Sequence, residues 1–181
     1  MAYNRIFPFQ NPRPLVHGGP GASCAAISCY WLRRCIDLGG TGVTSANQMG
    51  DQVKVALAQV VGHMAEERLE RRIDYIAGCF TLDIVQRIEL EMLDGETLAA
   101  AVTAHVPETH FLLIAKGLAG VNASHAMGVR KMPTHVELFE PNTGLWRFDD
   151  MAELANDLDN FIAERLITFA GAEALLCPVS H

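Results

Sequence analysis

The chain has 181 residues, half of them hydrophobic, with 21 acidic and 14 basic side chains and a formal net charge of -7, enough to bury one sizeable core but without the concentrated basic face that nucleic acid requires. No apolar run reaches the length of a membrane span, the opening Met1-Ala2-Tyr3-Asn4-Arg5 lacks a signal-peptide core, and Ala2 excludes myristoylation, so cytosolic synthesis and folding are expected. Five irregularly spaced cysteines argue against a disulfide framework and against a zinc site, and neither a metal nor a cofactor is expected.

Pro8, Pro12, Pro14 and Pro20 make residues 1–22 an extended arm, with Gln10, Asn11 and His17 as its notable polar side chains, ahead of a single domain over 23–181. Gly18-Gly19-Pro20-Gly21 then opens onto a helix in which Cys24, Ile27, Ser28, Trp31, Leu32 and Cys35 recur at helical spacing, stopped by Gly39-Gly40. With Ser23 as N-cap, Cys24 falls in the first turn, where unpaired N–H groups and the helix dipole favour an anion. That position favours the thiolate, the nucleophilic form of cysteine. A cysteine facing inward as a small core residue is the plain alternative.

Thr44 or Ser45 is placed to cap a long helix through about Arg71, with Val53, Leu57, Val60, Val61, Met64 and Leu69 on its apolar side and His63 on its face. Arg71 and Arg72 share that helix with Glu66, Glu67 and Glu70 as a solvated face. Ile73 to Phe80 also reads helically, and Thr81-Leu82-Asp83 suggests the cap of a further helix carrying Ile84, Val85 and Ile88. A short alanine-rich helix over Glu96 to His105 ends at Pro107.

Beyond it the character changes. The apolar run Phe111-Leu112-Leu113-Ile114-Ala115 predicts a central strand, 121–131 and 134–140 alternate as strands, Leu145 to Phe148 makes a fourth, Asp149 or Asp150 caps a helix over 151–166, and Leu175-Leu176-Cys177 closes as a strand. The layout is α+β, a helical half followed by an antiparallel sheet. A hairpin turning at Met132-Pro133 sets His125 directly across from Glu140, near enough for a carboxylate to hold an imidazole in one tautomer. The imidazole's other nitrogen is then free to take a thiol proton, the logic of nucleophile, base and orienter. Asn142, in the Pro141-Asn142-Thr143-Gly144 turn, is a second candidate for the orienting role, or plain turn chemistry.

Three stretches carry a resemblance: Gly21-Ala22-Ser23-Cys24 running into Ser28 and Trp31-Leu32; Ser124-His125-Ala126-Met127-Gly128-Val129; and Leu138-Phe139-Glu140-Pro141-Asn142-Thr143-Gly144-Leu145-Trp146-Arg147-Phe148. Over about residues 16–165 the chain resembles papain-like cysteine proteases and, among them, the YopT-type effector proteases of bacterial pathogens and symbionts. Glu140 stands where that family has its catalytic Asp. The resemblance implies a papain-like fold, peptide-bond hydrolysis through a thioester on Cys24 with His125 and Glu140, a protein or peptide substrate, no metal, and often delivery into a host cell without a signal peptide. Gln10, Asn11 and His17 are candidates for the side chain that joins the Cys24 N–H in holding an oxyanion. The same three residues would also serve glutamine deamidation or acyl transfer, and a binding module on a degenerate protease fold is the non-catalytic alternative.

Overall fold

The computed structural model describes residues 3–10, 21–50, 52–64, 69–117 and 124–181. One antiparallel sheet of eight strands forms its middle, with β1 at Asn4–Pro8, β2 at Asp83–Ile84, β3 at Ile88–Leu90, β4 at His110–Lys116, β5 at Ser124–Lys131, β6 at Val136–Glu140, β7 at Gly144–Phe148 and β8 at Ala174–Ser180. Across the sheet the order is β1-β7-β6-β5-β4-β8-β2, and β3 also pairs with β8. The helices are α1 (Gly21–Leu38), α2 (Gln52–Met64), α3 (Leu69–Cys79), α4 (Gly95–Thr103) and α5 (Met151–Arg165).

The sheet is covered on both faces, which explains why β4 is apolar at consecutive positions rather than at every second one. Leu112 and Ile114 pack with α1, α2 and α3, whereas Phe111, Leu113 and Ala115 pack with α4 and α5. The α+β expectation holds in this more specific form: helices flank the sheet, and the N-terminal half supplies three of its strands.

The first of these is β1, which turns the start of the proline-rich arm into an edge strand against β7. Pro8 sits at the strand's end, where a missing N–H costs least. The other two replace the helix expected after Thr81. Here α3 ends with the Leu82 N–H on the Ala77 carbonyl and the Thr81 N–H on the Gly78 carbonyl, Thr81 itself lying at φ 55°. This pair of bonds terminates a helix, and the branched Ile84 and Ile88 beyond it join β8 as strands.

The single long helix expected from residue 45 is instead two, α2 and α3. Ser45 precedes a short 3₁₀ turn over Ala46–Met49, its N–H donating to Gln48 Oε1 at 3.1 Å. The buried stripe of α2 runs through Val55 and Ala58, leaving Leu57 61% exposed. Other expectations match closely. The helix expected over Glu96 to His105 is α4, and the structure adds a cap that was not expected, Asp94 accepting from the Thr97 N–H; Asp150 caps α5 through the Glu153 N–H, and α1 ends at Gly39, whose φ of 62° only glycine adopts cheaply.

The contact that matters most for function is between α1 and β5. Ser28 Oγ donates to the Ala126 carbonyl at 3.0 Å, and the buried Trp31 ring lies over Gly128 while stacking on Phe139 at 5.3 Å between centroids. Cys24, Ser28 and Trp31 are spaced four and three residues apart, hence on one side of the helix. At the far end Arg130 Nη2 donates to the carbonyls of Gly39 and Gly40, both at 2.7 Å, and Nη1 donates to Glu137 at 3.2 Å. A Cβ on Gly128 would stand 2.4 Å from Trp31 Cε3. Gly128→Ala should therefore cost about 1–3 kcal/mol by urea denaturation, and much less when combined with Trp31→Leu than the two single costs added together.

Candidate active site

α1 begins three residues earlier than expected, so Ser23 lies inside the helix rather than capping it, and Cys24 is the fourth helical residue, still in the first turn. The hairpin of β5 and β6 differs more. Its register pairs Gly128 with Phe139 and Arg130 with Glu137, and the turn spans 132–135, closed by the Met132 N–H on the His135 carbonyl. The pairing is thus displaced by two residues from a turn at Met132-Pro133. His125 and Glu140 are diagonal rather than directly opposed. Because the displacement is even, both side chains stay on the same face of the sheet.

Diagonal neighbours stand about 7–8 Å apart, within reach only of long or aromatic side chains. Glu140 spans that gap. His125 Nε2 and Glu140 Oε1 lie 2.8 Å apart, and the same Oε1 accepts from the Asn142 N–H at 3.0 Å and from Asn142 Nδ2 at 3.1 Å. Asn142 therefore holds the carboxylate, not the imidazole. With Nε2 occupied, the hydrogen bond between His125 and Cys24 falls to Nδ1. Phe169 supplies the wall behind the base, stacked on His125 at 5.5 Å and 26°.

The three groups are almost dry: Cys24 and His125 are each 5% exposed and Glu140 not at all. Burial alone would lower the His125 pKa, but the hydrogen bonds with Cys24 and Glu140 and the attraction to both carry it up to about 9. Burial likewise opposes the Glu140 charge, yet the His125 contact, the Asn142 N–H and the Thr143 hydroxyl hold its pKa below the ordinary carboxylate value. Cys29 and Cys35, on the same helix as Cys24, are raised by burial, Cys35 to about 12. The arrangement can carry a proton between a thiol and an imidazole whose ring is fixed by a carboxylate.

Among the other residues singled out from the sequence, Gln10 is exposed and lines a cleft with Asn142 and Thr143, while Asn11 and His17 lie outside the described residues. The sequence reading did not single out Phe169 or Arg165. Phe169 had only the signal of a lone aromatic just ahead of Gly171, and Arg165 that of a cation in the last turn of α5.

No protein-family model matches the sequence, and no curated protein does. Solved structures do. AvrPphB, an avirulence protein of Pseudomonas, matches with a TM-score of 0.68 at 16% identity, over 88% of this chain and 92% of its own. The fold is that of papain-like cysteine proteases. The ubiquitin-specific protease of murine cytomegalovirus tegument protein M48, solved with a ubiquitin-based suicide substrate, gives 0.57 at 14% identity over 99% and 85%. PatoxP, the cysteine protease-like domain of the Photorhabdus asymbiotica toxin PaTox, gives 0.52 at 14% identity over 96% and 53%. The resemblance to YopT-type effector proteases read from the three motifs thus has a structural counterpart in the match to AvrPphB.

The charge distribution sets a pH signature. The pair of His125 and Glu140 contributes its full stability between about pH 4.5 and 6.5, the unperturbed values of the two groups. Its contribution fades as pH rises through the folded His125 value near 9, and fades again as acid protonates Glu140. In NMR titration the His125 ring should change charge near pH 9. Glu140→Asp, shorter by one methylene across a diagonal, should lower that midpoint by about one unit or more rather than preserve it.

Proposed function

We propose that the chain is a cysteine protease, hydrolysing peptide bonds in a protein substrate with Cys24 as nucleophile, His125 as base and acid, and Glu140 as orienter. The observation that carries this reading is the continuous hydrogen-bonded relay from Cys24 through His125 to Glu140 at the first turn of α1. The likeness of fold to structures that include proteases supports it.

Sγ of Cys24, its proton passed to His125 Nδ1, attacks the scissile carbonyl, and the oxyanion is met by backbone N–H groups of the first turn of α1, that of Cys24 among them. The C–N bond breaks as His125 Nδ1 returns the proton to the departing amine, leaving a thioester on Cys24. Water, deprotonated by His125, adds to the thioester, and the C–S bond breaks to release the acid and restore the thiol. Glu140 keeps its charge throughout and holds the ring by Nε2, while Asn142 steadies the carboxylate. Phe169, stacked on the ring, limits its rotation and keeps water from it. The family resemblance extends the proposal to an effector that acts on a host-cell protein.

Alkylation tests the nucleophile. With chloroacetamide at neutral pH, mass spectrometry should find Cys24 modified well before Cys29, Cys35 or the half-buried Cys79. His125→Ala should remove that advantage, and equal labelling of Cys24 and Cys79 in the unaltered protein would refute the assignment. Incubation with a proteome-derived peptide library should give cut peptides, abolished by Cys24→Ala and reduced roughly a hundredfold or more by Glu140→Gln. A one-dalton gain without cleavage would make it a deamidase instead.

A further inference from the structure

Next to the site a cleft of about 460 Å³ is lined by Arg5, Gln10, Asn142, Thr143 and Arg165, among others. Two of these residues are cations converging on one aromatic ring. The Arg5 guanidinium lies 5.6 Å from the Trp146 ring centroid and that of Arg165 5.3 Å from it. They come from different parts of the chain. Arg5 is on edge strand β1, opposite Trp146 in the ladder, and Arg165 is the last residue of α5.

The ring beneath them is fixed. Trp146 is 5% exposed, its Nε1 donates to Thr143 Oγ1 at 2.9 Å, and its edges meet Tyr3 and Phe161. Among the described residues Arg5 has no ion pair, and Arg165 approaches Glu164 only to 4.0 Å. Both arginines are exposed. Two like charges held over one ring repel each other, and the ring quadrupole offsets this only in part. An anion between them would relieve the repulsion, and guanidinium forks match a carboxylate.

The position of the cleft shows which part of a substrate would supply that anion. Asn142, which holds Glu140, also lines the cleft, so the cleft lies beyond the imidazole as seen from Cys24. In the reaction proposed above, the imidazole hands its proton to the departing amine, so the segment of substrate on this side is the one that leaves. Resting on that reading, we infer that the cleft is a specificity site for acidic side chains C-terminal to the scissile bond, with Arg5 and Arg165 as the residues that read them. The chain's overall charge of -7 makes this local pair of cations a selective feature rather than part of a general attraction for acidic proteins.

Two measurements test this separately from the protease reading. In cleavage of a proteome-derived peptide library, Asp and Glu should be enriched at positions after the cut. Arg5→Gln with Arg165→Gln should erase the enrichment, Arg5→Glu with Arg165→Glu should turn it toward Lys and Arg, and the double Lys variant should keep it. The second readout needs no catalysis: Cys24→Ala should bind a fluorescein-labelled hexaglutamate peptide about tenfold or more tightly than its double Gln variant, with affinity falling as salt rises, and should not bind hexalysine. Absence of cleavage with this binding intact would sink the protease reading and leave the anion site standing. Equal binding by the protein with and without its two arginines, or acid enrichment that survives their loss, would overturn the inference.

Discussion

The seating of α1 along β5 is the constraint from which the site follows. Catalysis by proximity tolerates errors of well under an ångström, and precision of that kind comes from rigid elements with interlocked side chains. Here the interlock is Trp31 in the space left by Gly128, with Ser28 bonded to the neighbouring carbonyl of Ala126. The helix is held again at its other end by Arg130, which reaches from β5 to the carbonyls of Gly39 and Gly40 and is itself paired with Glu137 directly across the hairpin. One hairpin therefore carries a buried ionic group at each of two places: Arg130 with Glu137 where α1 ends, and His125 with Glu140 where α1 begins. The thiol and the imidazole meet because their helix and strand are fixed at both ends.

The same geometry separates three cysteines on one helix. Cys29 and Cys35 are fully buried and their thiols are suppressed by burial, whereas Cys24 shares a hydrogen bond with His125. Residue type is identical and environment differs, which is how protein surroundings turn an inert thiol into a nucleophile. Burial of the relay also has a cost, since dry charges must be paired. Glu140 meets that cost with three donors on one oxygen, His125 and two from Asn142.

What could be read from the sequence was what depends on local pattern. The run around Leu112 to Ile114 announced a central strand, Asp149-Asp150 announced a helix start, and the parity of His125 and Glu140 put both on one face. The register of their hairpin was less accessible, because Met132 to His135 offers no glycine or Asn-Gly signal to fix the turn, and only packing chooses between alternatives two residues apart. Thr81 was misleading for a related reason: a β-branched residue at positive φ is rare, so its neighbourhood read as a helix start when it is a helix end. The strand β1 was hidden by Pro8 at its end and the prolines of the arm beyond it, and the roles of Phe169, Arg5 and Arg165 arise wholly from tertiary contact.

The strands stand in a different order across the sheet than along the chain, and this governs when the molecule becomes complete. β1 leaves the ribosome first but lies beside β7, and α1 emerges long before the β5 that seats it. β8, last of all, fills an interior place between β4 and β2. Such long-range pairing is slow, and it exposes apolar sheet faces until the final segment arrives. Until β5 has been made, Cys24 therefore has no imidazole to arm it. For the proposed hydrolase, nucleophile and base thus come together late, once the strand has been made that seats a helix synthesised long before it.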